Sequence, residues 1–254
     1  MYQWLRSVGH GRPTRSDESV LVTNYVFLRK AVGWVGTLLP IVLLVANPIA
    51  LSIEHSSCGW LPNSVSGYYY SPVRNIFVGA LCGLGLFLIA YVGTDLGDRV
   101  ITDLAGVFAL GLAFFPTTPT VTSSPSLACQ TVAQLSTRDQ VVGDIHAVFS
   151  VLFLLSLAWM AIRFTNTNSP HPSPQKLRRN RIYWICAIVI LACVAAAVIT
   201  NFLPASLRPP FPWLFLYEAV GIFAFGVSWF VEGQTLIGPL KDPPSPVAEP
   251  LAQH

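Results

Sequence analysis

The sequence predicts an all-α, polytopic membrane protein with six transmembrane helices and both termini in the cytoplasm. Three observations carry that reading. Of 254 residues, 53% are hydrophobic and only 11% are charged, with a mean hydropathy of +0.57. Water-soluble domains carry about a quarter charged residues. Six apolar runs approach the ~20 residues a helix needs to cross the hydrocarbon core: 31–53, 74–94, 99–115, 144–164, 181–203 and 213–233. When the runs are threaded alternately, only Arg74, Arg138 and Arg208 of the 15 lysines and arginines fall opposite the N-terminus. Basic residues gather on the cytoplasmic side of multi-pass proteins, so this bias sets the orientation in the cell membrane. The runs lack the alternation of barrel strands. No basic patch with interleaved aromatics offers a nucleic-acid surface, so the expected partner is membrane lipid.

The elements follow in order. Residues 1–30 are polar, and the run from Ala31 is longer than the apolar core of a signal peptide. They are expected to form a cytoplasmic segment before an uncleaved first span, which Glu54 and His55 close. The outer loop then ends in SVSGYYYSPVRN, Ser64 to Asn75. Tyr68, Tyr69 and Tyr70 suit the aromatic belt of a membrane interface. Ser71 and Pro72 suit an N-cap and first helical position. Arg74 then falls in the first turn of span two, where the helix dipole disfavours a cation. Gly79 and Gly83 form a GxxxG pair suited to close packing. A short turn with Asp95, Asp98 and Arg99 leads into span three, with Asp103 one turn inside and Arg99 expected to balance the acids. Cys58 and Cys129 fall in the two large outer loops, where an oxidising compartment favours a Cys58–Cys129 disulfide. Cys82, Cys186 and Cys193 lie in spans as small packing residues. Asp144 and His146 open span four, NTNSPHPSP (166–174) links it to span five, and Thr200 and Asn201 close span five. The Pro-rich segment 234–254 lacks a hydrophobic face and is expected to be a disordered cytoplasmic tail. The membrane domain is thus 31–233.

Ionisable residues within a span are costly and default to functional candidates. No Lys, Arg, Asp or Glu sits at the centre of any run, which argues against pumps and ion-coupled transporters. The absence of an internal repeat adds to that. The exceptions gather near the outer face. Glu218, five residues into span six, shares a helix face with Gly221, Phe225, Ser228 and Glu232. Small and polar residues turn such a face into the bundle. An inward carboxylate needs a partner, and Arg74 is the expected one. His55, His146 and a carboxylate are the set that could hold zinc, but HxxxH and HExxH spacings are missing, so no cofactor is expected. Ser64 or Ser66 with His146 as base would make a nucleophile pair, without the usual GxSxG elbow.

Three stretches carry a family resemblance: SVSGYYYSPVRNIFVGALCG, GVFALGLAFFP and DIHAVFSVLFLL. On these the chain resembles, over residues 31–233, the six-helix DRAM/Sfk-type integral membrane family and its bacterial relatives. In that pattern a serine-rich outer loop precedes a Pro-x-Arg helix start, and a histidine opens the fourth helix. The matching positions are Ser64, Ser66, Pro72, Arg74 and His146. The resemblance implies lipid handling near the membrane surface, since the eukaryotic side includes a protein of GPI-anchor lipid remodelling. The chain is also similar to membrane hydrolases related to alkaline ceramidase, but lacks the paired histidines of their zinc site.

The expected function is accessory, non-enzymatic binding of a lipid or amphiphile in a polar pocket open to the outer face. Arg74 would attract an anionic head group. Glu218 and His146 would orient it with Ser66 and Asp144, and Tyr68, Tyr69 and Tyr70 would frame the entrance. The alternative is a membrane-embedded lipid hydrolase or transferase with His146 and Glu218 as its catalytic acid–base groups.

Overall fold

The computed structural model describes residues 15–55, 59–91, 95–118, 137–165 and 173–233. Six helices fill most of them: α1 (Arg15–Ile53), α2 (Arg74–Ala90), α3 (Leu96–Phe114), α4 (Thr137–Arg163), α5 (Pro174–Phe202) and α6 (Trp213–Glu232). Short 3-10 turns lie at Ser66–Tyr70 and Ala205–Leu207, and the described residues contain no strand. Each helix packs on its neighbours in sequence, and α6 returns to α1 to close a six-membered ring. Contacts at the helix ends show alternating directions: the last residue of α4 meets the start of α3, and the end of α6 meets the basic half of α1. The α1–α2 seam is the thinnest contact between sequence neighbours, and α4 also reaches α6 across the ring.

Four helical segments are long and apolar enough to cross a membrane: Val26–Ile53, Gln140–Arg163, Pro174–Phe202 and Trp213–Glu232. Helix α2 has 17 residues, about 26 Å at 1.5 Å per residue. Helix α3 carries Asp98, Arg99 and Asp103 in its first two turns. The outer surface of the ring is apolar, with Trp34, Val45, Leu86, Trp159, Trp184 and Ile188 exposed. A helix that is apolar both inside and outside a bundle belongs in lipid rather than in water.

The helices extend beyond the hydropathic runs. Helix α1 begins at Arg15, so half of the polar segment 1–30 is helical, and α4 and α5 each begin seven residues before their apolar runs. Hydropathy reports transfer into lipid, whereas caps set helix ends. At α5, Ser173 Oγ accepts from the Lys176 N–H at 3.3 Å, with Pro174 at the first helical position. The expected Ser71–Pro72 start of α2 is corrected: the helix begins at Arg74 with Val73 as N-cap, and Ser71 Oγ instead donates to the Tyr68 carbonyl.

The close approach of α2 also uses other glycines than expected. A Cβ at Gly106 would lie 2.6 Å from the Gly85 carbonyl oxygen, and one at Gly85 would lie 2.9 Å from that of Gly106. These two residues let α2 and α3 cross backbone to backbone. Gly79 and Gly83 face open space, with nothing within 4 Å of a Cβ at either position. Cys58 and Cys129 lie outside the described residues, as do 1–14 and the tail 234–254. Among the described residues Cys82, Cys186 and Cys193 are free thiols.

Candidate functional site

The loop between α1 and α2, expected on the outer side, is tied to three parts of the ring. Asn47, buried in α1, donates from Nδ2 to the Trp60 carbonyl at 2.8 Å. Tyr70 Oη donates to the Thr117 carbonyl, just past α3, at 2.7 Å. The strongest tie is to α6 and runs in both directions. The first N–H groups of any helix lack an internal acceptor, and Pro212 gives α6 no side-chain cap. The Asn63 carbonyl supplies one by accepting from the Phe215 N–H at 2.7 Å. In return, Glu218 Oε2 accepts from the Val65 N–H at 2.7 Å and from the Ser66 N–H at 3.4 Å, at the start of the 3-10 turn. Ser64 Oγ accepts from the Gly67 N–H and fixes the turn itself. Loop and helix therefore cap each other.

Beneath this clamp lies a cavity on the ring axis. Leu39 of α1, Phe77 and Leu81 of α2, Leu112 of α3, Phe153 and Leu154 of α4 and Ile222 of α6 form its apolar walls. Val65, Ser66, Ser150 and Glu218 complete the lining. Among the described residues that line it, Glu218 alone is ionisable. About 40 Å³ is open to the centres of water-sized groups, room for about three of them. The expected inward face of α6 is as read from the sequence: Gly221, Phe225 and Ser228 are buried.

The other expected site residues take different partners. Among the described residues no ion pair joins Arg74 to Glu218. Arg74 is exposed, its guanidinium 4.1 Å over the Tyr69 ring and bonded to Tyr69 Oη. A cation–π contact thus replaces the expected carboxylate. Tyr68 does not frame an entrance: it is wholly buried, packs on Phe215 with ring centroids 6.2 Å apart, and burial pushes its phenol up to about 12. His146 is buried beside the end of α3, with Nδ1 2.6 Å from the Phe115 carbonyl oxygen and Nε2 without a hydrogen-bond partner. It does not line the cavity, and no hydrogen bond connects it to Glu218, Ser64 or Ser66. Asp144 is exposed on α4. His55 ends α1 in a left-handed conformation, φ 50°. Among the described residues no three His, Cys, Asp or Glu side chains gather into a metal-sized group.

At the opposite end of the ring stands a polar cluster that sequence reasoning missed. Glu232 Oε1 lies 3.1 Å from Arg29 Nη1, and Oε2 accepts from Tyr183 Oη at 2.8 Å and lies 3.6 Å from Arg179 Nη2. Arg179 also donates to the Val231 carbonyl at 2.7 Å, and Arg29 to Tyr91 Oη at 2.9 Å. Next to it, Arg163 at the end of α4 bonds both Asp95 and Asp98. Among the described residues Arg99, the expected balance for those acids, pairs with Asp103 alone, at 3.8 Å. The signal was available as charges at helix ends, but the pairings cross between helices distant in sequence.

No family model, curated protein or solved structure matches this chain.

Proposed function

We propose that the chain is a six-span, multi-pass protein of the cell membrane that holds the polar end of a lipid or other amphiphile in the cavity under the outer loop. It acts as a binding or accessory protein with both termini cytoplasmic. The observation that carries this reading is the cavity: an axial space lined by five helices, apolar in its walls, with one carboxylate at its outer rim. Binding sites for small amphiphiles combine such walls with a few convergent polar groups. Closure of the ring by α2 and α3 supports six spans, since the two helices that fall short by length or charge complete the wall between α1 and α4. The charges of α3 lie at its start, on the side that carries most of the basic residues. The resemblance to the DRAM/Sfk-type family points the same way, as membership of a six-helix, lipid-handling group.

Mass spectrometry of lipids retained by the detergent-purified chain tests the reading. An amphiphile retained near one per chain is expected, and Leu81→Trp, which fills the cavity, should lose it. An equal lipid content in that variant overturns the cavity as the site. Single cysteines at Ser206 and Ser173 in a cysteine-free background test topology. An impermeant maleimide applied to intact cells should label the first and spare the second, and the reverse pattern overturns the orientation.

A further inference from the structure

The chemistry of the cavity also selects the end group it takes. We infer that its ligand ends in a protonated, hydrogen-bearing amine, an aminoalkyl group whose ammonium docks on Glu218. This rests on the reading that the cavity handles an amphiphile, and adds the sign and size of the group it holds. Four features converge.

The first is charge. Glu218 lines the cavity, and among the described residues it has no ion pair. Its only donors are two backbone N–H groups, both on Oε2, which leaves Oε1 for another donor. Arg74, which would have favoured an anionic head group, stands outside on Tyr69. An anion entering this space would meet a carboxylate and no cation. The second is the donor count. An ammonium carries three N–H donors, and three residues that line the cavity carry side-chain acceptors, Glu218, Ser66 and Ser150. The third is size. The space, about 40 Å³, is small and suits a compact end group such as an aminoethyl. The fourth is the wall. Phe77 and Phe153 line the space, and aromatic faces attract cations in dry surroundings, while the aliphatic side chains suit the methylenes.

Such an end group has two sources, the head group of an aminophospholipid or a free alkylamine. Thermal unfolding of the full chain in detergent separates them. Dodecylamine, dodecanol, dodecyltrimethylammonium and ethylamine are each added at matched concentration, and phosphatidylethanolamine is compared with phosphatidylcholine in mixed micelles. Dodecylamine and phosphatidylethanolamine are expected to raise Tm by about 5 °C or more above their counterparts. Glu218→Gln, which retains an acceptor for the Val65 N–H, should abolish the preference without unfolding the chain. Ser150→Ala should weaken it with the clamp intact. Equal shifts from dodecylamine, dodecanol and the trimethylammonium probe overturn the inference while leaving amphiphile binding in place. Preference for the amine that survives in Glu218→Gln also overturns it. A full shift from ethylamine alone upholds the amine chemistry and removes the lipid as its source. No shift from any probe, with no retained lipid, removes both readings.

Discussion

The two ends of the helix ring, named inner and outer after the proposed orientation, use their charges in opposite ways. At the inner end every carboxylate of the cluster meets a guanidinium: Glu232 with Arg29 and Arg179, Asp95 and Asp98 with Arg163. The space there is small, about 10 Å³ between Tyr91, Asp98, Thr102, Met160 and Arg163, room for about one water. At the outer end one carboxylate meets only neutral backbone donors, above a cavity four times as large. Charge matched to charge in a filled space locks helices together. Charge left facing neutral donors over an open space is suited to receive something. The inner end fastens the bundle, and the outer end is the one proposed as its site.

Substitutions can break or sharpen that contrast. The largest effect is expected at the fastening: Glu232→Ala leaves two largely buried guanidiniums without their carboxylate, at about 3–5 kcal/mol. Thermal unfolding in detergent should show a fall in Tm of about 10 °C. A variant as stable as the parent would mean the cluster does not hold the ring closed. Next comes Gly106→Val, which forces a side chain against the Gly85 backbone and should cost about 1–3 kcal/mol or more. Gly79→Val, in open space, is its control and should unfold with the parent. Glu218→Ala removes the loop's charged acceptor and should cost about 1.5–3 kcal/mol. Its more telling effect is local: amide exchange at Val65 and Ser66 should accelerate, while the inner end stays protected. Arg74→Ala loses one exposed cation–π contact, about 0.5–1 kcal/mol, and a larger loss would mean the arginine supports the site after all.

The smallest expected effect depends on pH. The Asp98 N–H and the Arg163 guanidinium hold the exposed Asp95 carboxyl below the usual carboxylate range. A carboxyl depressed in the folded state contributes stability above its unfolded value, about pH 4, and loses it as pH falls through the folded value. Asp95→Asn should therefore lower Tm slightly at pH 7, and the difference should shrink as pH falls below about 4. A constant difference across that range would show that Asp95 acts only as a cap.

Much of the scaffold was legible in the residues. Six apolar runs located six helices, because the free energy of transfer into lipid is summed along contiguous sequence. The buried face of α6 followed from its 3.6-residue period, with Phe225 and Ser228 fully enclosed. What escaped was anything decided by a partner outside the run. Glu218 pairs with the backbone of Val65 and Ser66, and backbone donors leave no mark in composition. Gly79 and Gly83 have the motif spacing, but Gly85 and Gly106 make the crossing, because helix rotation toward a neighbour is set by the whole bundle. Arg163 rather than Arg99 holds Asp95, across 68 residues of chain.

Helix α6 has a consequence for the order in which the protein is made. It supplies Glu218 to the outer clamp, Glu232 to the inner cluster, and the closing contact with α1. Chains emerge from the ribosome N-terminus first, so α6 is the last of the six helices to be synthesised. Until it is in place, Arg29 and Arg179 lack the Glu232 carboxylate that both of them face, and the loop before α2 lacks its anchor on Val65 and Ser66. The ring thus closes only once α6 is in place. A chain ending before Trp213 would leave both arginines without Glu232 and the loop without Glu218.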